Sequence, residues 1–254
     1  MIEPLAVGVH SVYTLAQVRP NQIVAVFGAG PVGLLAMAVA RACGARRVIA
    51  IDIMESRLRF SKTYAATDIF CPPAINEGES RMAYSKRSSE TLKRELGVAD
   101  AGVNGVDVII EASGAEVCIQ TGYHLIKPGG VFVQVGAGAL NVQVPVHLLL
   151  SKEIVVKGSF RCILSFKTRI AAHILPDMAQ AIILSPSPSL PMERSTSSLW
   201  LHTGLSQFLA LRCHWFSSRY RFAFDDAVMA FEVTQKRQSE DGKGVIKAII
   251  DGPL

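Results

Sequence analysis

The strongest constraint in this sequence is a glycine turn set between a short apolar run and an amphipathic one. Ile23 to Phe27 is β-rich, Gly28-Ala29-Gly30-Pro31-Val32-Gly33 fits GxGxxG, and Val32 to Ala42 has helical spacing. Each glycine answers a separate physical demand: Gly28 permits the tight turn, Gly30 lets the backbone approach a pyrophosphate, and Gly33 lets helix and strand pack closely. The first turn of the helix then offers unpaired N–H groups and a partial positive charge to the phosphates. Nineteen positions beyond Gly33, at the end of a second apolar run from Val48 to Ile51, stands Asp52. That is the spacing of a carboxylate that accepts hydrogen bonds from an adenosine ribose. A carboxylate there repels a 2′-phosphate, so NAD is expected over NADP. Asp52 is also placed to cap the helical segment that follows, and Arg57 reads either as a solvated helix residue or as a flank of the adenine.

The rest of the first 160 residues repeats this alternation. A helical run from Glu55 to Ala65 follows the second strand. Val106 to Ile110 and Val131 to Val135 read as strands, with a helical stretch from Ala115 to Ile126 between them and Pro128-Gly129-Gly130 as the turn. Ile154 to Lys157 adds another strand, and the polar segment from Pro72 to Ser89 reads as a long surface loop. Strands alternating with helices favour a parallel sheet with crossover helices. The expected fold class is α/β, a doubly wound parallel sheet of Rossmann type. The expected division is a junction segment at 1–20, a dinucleotide-binding domain at 21–161, an anomalous irregular stretch near 162–219, and a C-terminal helix and strand at 220–254, with Phe224 to Gln235 helical and Val245 to Ile250 the last strand.

Composition decides what the chain is not. Its 254 residues are 50% hydrophobic and 19% charged, which excludes disorder along the whole length. The net charge of +5 suggests an acidic partner, but Arg161 to Arg219 alone holds six basic and two acidic residues. That stretch also holds Trp200, Trp215 and the serine- and proline-rich run from Ser185 to Ser198, and its apolar residues come in irregular clumps. With no basic stripe interleaved with aromatics, nucleic acid is not an expected partner. No apolar run approaches the ~18 residues of a membrane span, and no basic segment followed by an apolar one opens the chain, so neither a membrane nor a secretory leader is expected. Cys43, Cys71, Cys118, Cys162 and Cys213 are odd in number, widely spaced and without a CxxC pair, which reads as reduced thiols in the cytoplasm.

Several strings occur in order: Ile2-Glu3-Pro4-Leu5-Ala6-Val7-Gly8-Val9-His10, VFGAGPVGLLAMAVA, VIAIDI, Tyr64 to Ile69, EASGAEVCIQTG and KGSFR, then RFAFDDAVMAFEVTQK and GKGVIKAIIDGP. Together they resemble the zinc-containing polyol dehydrogenases of the medium-chain dehydrogenase superfamily, over about residues 2 to 161 and again from about Arg221. The resemblance implies interconversion of a polyol, such as xylitol or a sorbitol-like sugar alcohol, and a ketose by hydride transfer to and from NAD. In that family a zinc ion polarises the reacting oxygen as a Lewis acid. The resemblance also implies that Val32, Asp52, Arg57, Val135, Gly136, Ala137, Ser159, Phe160 and Arg161 contact the cofactor, and that Glu3 is similar to the glutamate beside the catalytic zinc.

Two departures qualify this. The family's cysteine and histidine zinc ligands lie in a catalytic domain ahead of the Glu-Pro-Leu string, which here begins at residue 3. A catalytic zinc needs about three protein ligands, so the site is expected to be incomplete. His10, His124 and His147 sit in helical or strand-edge contexts and are expected to be structural. The chain is therefore expected to be the cofactor-binding part of such an enzyme, or a non-catalytic NAD-binding fragment. Apolar surface left without its domain partner would favour a homo-oligomer. The second departure is the stretch of about 162–219, whose abrupt composition change is that of translated intron or frame-shifted sequence.

Overall fold

The computed structural model describes residues 2–138, 140–160, 221–222 and 249–250, with backbone alone at 2, 3, 221, 222, 249 and 250. The chain divides into two compact units, Ile2–Arg161 and, together with Met1, Cys162–Leu254. In the first unit six parallel strands form one sheet: β1 (Ile23–Phe27), β2 (Arg47–Ile51), β3 (Asp68–Phe70), β4 (Val106–Glu111), β5 (Ile126–Gln134) and β6 (Val155–Gly158). Their order is β3-β2-β1-β4-β5-β6, so the strand order reverses between β1 and β4. This is the doubly wound arrangement expected from the sequence. In the second unit the described residues form a short parallel pair, β7 (Arg221–Phe222) with β8 (Ile249–Ile250). The expected helix from Phe224 to Gln235, and the whole stretch of 162–219, lie outside the described residues.

Strand composition explains the central placement of β1. All five of its residues are buried, as a strand covered on both faces requires. Around the sheet run α1 (Ile2–Val9), which continues into a π-helical turn at His10–Leu15, α2 (Pro31–Ala42), α3 (Glu55–Tyr64), α4 (Arg81–Leu96), α5 (Glu116–Leu125) and α6 (Val146–Ser151). Right-handed crossovers feeding this strand order put the helices of the two halves on opposite faces. Phe27, Ile49, Ile51, Leu92, Ile109 and Phe132 are nearly fully buried in the core. Tyr123 of α5 stacks on Phe132 of β5 with centroids 4.9 Å apart. Each such side chain contributes about 1.5–3 kcal/mol by leaving water.

One expected element is corrected. The segment from Pro72 to Ser89 is not a single loop, because residues 81–89 are the first half of α4. Ser80 caps that helix, its side chain accepting from the Ala83 N–H at 3.2 Å. Ser85, Ser88 and Ser89 of this helix are buried. Ser85 Oγ donates to the Val117 carbonyl at 3.1 Å. A small hydroxyl residue bonded across to α5 in this way lets the helices approach closely, yet it carries no apolar period to read. The predicted turn at Pro128-Gly129-Gly130 lies within β5, where the pairing with β4 shifts register between Val106 and Val108.

Candidate functional site

Parallel strands deliver all their carboxyl ends to one edge, and that edge carries the sequence-predicted residues. Gly28 closes β1 with φ +91°, a conformation that favours glycine, and a Cβ there would lie 3.1 Å from the backbone of Ala112 and Ser113. At Gly33 a Cβ would lie 1.8 Å from the Gly28 carbonyl oxygen, so any side chain would push α2 off β1. At Gly30, by contrast, a Cβ would meet nothing within 4 Å. The space over the turn is open while the packing beneath it is closed. Gly30 caps α2 without a side-chain hydrogen bond, and Pro31 opens the helix. Pro31 has no N–H to lose, and the next turn keeps its donors for a ligand.

Asp52 stands at the end of β2 with its side chain only 8% exposed. One carboxylate oxygen accepts from the Ala29 N–H inside the glycine turn, and the other from the Met54 N–H, both at 2.8 Å. The acid therefore braces the turn, but it is not the expected helix cap: Met54 stands at the N-cap of α3 with no side-chain cap hydrogen bond, and at this end Asp52 accepts only from the N–H of Met54 itself. Arg57 approaches the same carboxylate at 3.9 Å. Each oxygen keeps a lone pair for a further donor, such as a ribose hydroxyl.

The other half of the edge is built around Glu111, which sequence reasoning left unassigned although it ends the strand pattern Val-Asp-Val-Ile-Ile-Glu. The backbone N–H groups of Val135 and Gly136 both donate to the Glu111 carbonyl at 2.8 Å, which docks the end of β5 on β4. Burial pushes the Glu111 carboxyl above its usual range, against the pull of hydrogen bonds from Ser113, Gly114 and Gln134. Burial also pushes the nearby Cys118 thiol up to about 11, so it is uncharged at neutral pH. Ala137 is exposed at the mouth of this loop. At the end of β6 the Ser159 N–H donates to the Gln134 carbonyl at 2.7 Å, while Ser159 Oγ is buried without a hydrogen-bond partner. Phe160 is exposed beyond it.

Gly28, Gly30, Val32, Gly33, Asp52 and Arg57 thus gather at the ends of β1 and β2, and Val135, Gly136, Ala137, Ser159 and Phe160 at the ends of β5 and β6. These groups fit a dinucleotide laid across the crevice where strand order reverses: open space over Gly30, uncapped helix donors, a braced carboxylate and an orphaned buried hydroxyl. Arg161 and the side chain of Glu3 lie outside the described residues. A metal is not supported in the same way. Among the described residues no group of three or more His, Cys, Asp and Glu side chains could hold an ion.

Known proteins agree with the architecture. A family model described as zinc-binding dehydrogenase matches residues 31–174, more than half of the chain. The chain belongs to the zinc-binding dehydrogenase family. The match runs past residue 161 into the segment of unusual composition. D-xylulose reductase A of Aspergillus oryzae is 46% identical over 161 residues, covering 63% of this chain and 41% of that protein. The chain thus spans less than half the length of this curated relative. Among solved structures, 2R,3R-butanediol dehydrogenase from Bacillus subtilis aligns with a TM-score of 0.65 at 19% identity, over 99% of this chain and 56% of that one. An Escherichia coli alcohol dehydrogenase complexed with NADH aligns with a TM-score of 0.62 at 20% identity, over 92% and 54%. At such identities the structures speak for the fold.

Proposed function

We propose that this chain is the cofactor-binding part of an NAD-dependent polyol dehydrogenase of the D-xylulose reductase type, serving the interconversion of a polyol and a ketose. The observation that carries the reading is the braced glycine turn: Asp52 holds Ala29 in place under open space at Gly30. The N–H groups of α2 would take the pyrophosphate, and Asp52 the adenosine ribose hydroxyls. Val135, Gly136, Ala137 and Ser159 would line the nicotinamide half, with Phe160, Arg161 and Arg57 at its margins. The nicotinamide, when bound, accepts or returns a hydride at the substrate carbon. The protein's part is to hold that ring at a fixed depth along the strand ends. By the family resemblance, Glu3 would lie beside a zinc ion that polarises the reacting oxygen.

A second reading is a non-catalytic NAD-binding module. Xylitol oxidation by the purified chain with NAD and added zinc separates the two: turnover supports the first, and nucleotide binding without turnover the second. Cofactor choice tests both. NAD binds more tightly than NADP, and Asp52→Ala narrows the gap while weakening NAD by about tenfold, the loss of charge-assisted hydrogen bonds. Equal affinities for the two nucleotides in the unmutated chain overturn the role of Asp52.

A further inference from the structure

The β4–α5 turn and the β5 end touch each other through backbone rather than through side chains. A Cβ at Gly136 would lie 2.3 Å from the Gly114 N and 2.9 Å from Glu111 Oε2, and one at Gly138 would lie 1.7 Å from the Gly114 oxygen. Into this junction points the carboxylate of a fully buried glutamate. Glu111 Oε1 accepts from the Ser113 N–H at 2.9 Å, the Gly114 N–H at 3.0 Å and the Ser113 hydroxyl. Oε2 accepts from the same Gly114 N–H at 3.0 Å and from Gln134 Nε2 at 2.6 Å. Gln134 Nε2 also donates to the Gly136 carbonyl at 2.7 Å. Every contact is a donor aimed at an acceptor-only group, and each belongs to one of the two loops. A hydrophobic residue could fill the volume but could not hold both loops by directed bonds. A buried anion is costly to keep unless its bonds are needed in that geometry.

We propose that Glu111 is a positioning residue for the nicotinamide half of the cofactor, its carboxylate splinting the β4–α5 turn to the end of β5 through Gln134. The splint fixes the separation of Ser113-Gly114 from Val135-Gly136-Ala137, the segments that follow β4 and β5 on one side of the reversal of strand order. This rests on the reading of that edge as a dinucleotide site. Glu111 touches no substrate; it acts through the loops it holds.

The test uses the full chain with NADH and ADP-ribose, which shares everything with the cofactor except the nicotinamide ring. Glu111→Gln keeps the shape but turns an N–H donor toward donors already present at Gln134 or Gly114. It is expected to weaken NADH at least about tenfold, the loss of a single charge-assisted bond, and ADP-ribose less than about twofold. Gln134→Ala is expected to weaken NADH in the same selective way and to a smaller extent, and the double variant to bind no worse than Glu111→Gln alone. Equal weakening of both ligands, unchanged NADH affinity, or independent addition of the two substitutions overturns the splint. Should Glu111→Gln not fold, Gln134→Ala alone decides by the same selectivity. An unmutated chain that binds neither ligand overturns the dinucleotide reading and the splint with it, whereas binding of both with unshifted variants overturns the splint alone.

Discussion

The two edges of the sheet in the first unit solve the same problem in opposite ways. At the amino edge charged side chains are matched to one another and to backbone groups of the same edge. Arg47 at the start of β2 pairs with Asp68 at the start of β3 at 3.1 Å, and Lys127 of β5 pairs with Asp107 of β4. Asp107 also accepts from the Ile23 N–H at 2.8 Å. Lys152 donates to the carbonyls of Tyr123, His124 and Ile126, closing the end of α5. At the carboxyl edge Asp52 and Glu111 are held chiefly by backbone N–H groups, and the space over Gly30 is open. An edge whose polar groups satisfy one another has nothing left to offer a ligand. An edge whose carboxylates organise backbone turns keeps helix donors and lone pairs for one.

If this contrast is right, substitutions at the carboxyl edge change nucleotide affinity, and those at the amino edge change stability alone. The largest expected effect joins the two. Gly33→Ala would set a Cβ 1.8 Å from the Gly28 oxygen, and rigid backbone on both sides makes a loss of several kcal/mol the expected outcome in thermal unfolding, as overpacking and backbone displacement combine. Gly30→Ala meets nothing within 4 Å. It should cost less than about 1 kcal/mol of stability while lowering NADH affinity by about tenfold or more, because the methyl group occupies the approach of the pyrophosphate. Matching losses of stability in the two variants would break the distinction between closed packing below the turn and open space above it.

At the amino edge Lys152→Met removes three hydrogen bonds to carbonyls at the end of α5. A loss of about 1–3 kcal/mol is expected from denaturant unfolding, with NADH affinity unchanged. A further effect is a pH dependence. Burial, and then the charges of Lys152 and Lys93, hold His124 down to about 4 from 6.5. Its Nε2 is buried without a hydrogen-bond partner. A depressed folded-state value means that the contribution to stability is complete above pH 6.5 and is lost as pH falls toward 4, where it levels off. His124→Gln should flatten the denaturation midpoint across that interval, measured against the unmutated chain.

Much of the carboxyl edge was legible in the sequence because its demands are local. Gly28, Gly30 and Gly33 answer turn and packing constraints within six residues, and Asp52 follows from the length of one helix and one strand. The first half of α4 was not legible, since Ser85, Ser88 and Ser89 are buried polar residues without an apolar period, and Ser85 finds its partners on α5. Glu111 was visible only as an acid at the end of an apolar strand. Its donors come from the next turn and from Gln134, whose strand pairs with β4 in the sheet.

The sequence by itself determined a strand–turn–helix–strand unit, its terminal acid and a parallel sheet, because period, glycine geometry and chain direction act over short distances. Only the tertiary structure decided that Asp52 braces the glycine turn from the neighbouring strand and that Glu111 ties β4 to β5. Those bonds join residues 23 positions apart, and a hydrogen bond depends on distances and angles that spacing along the chain does not encode.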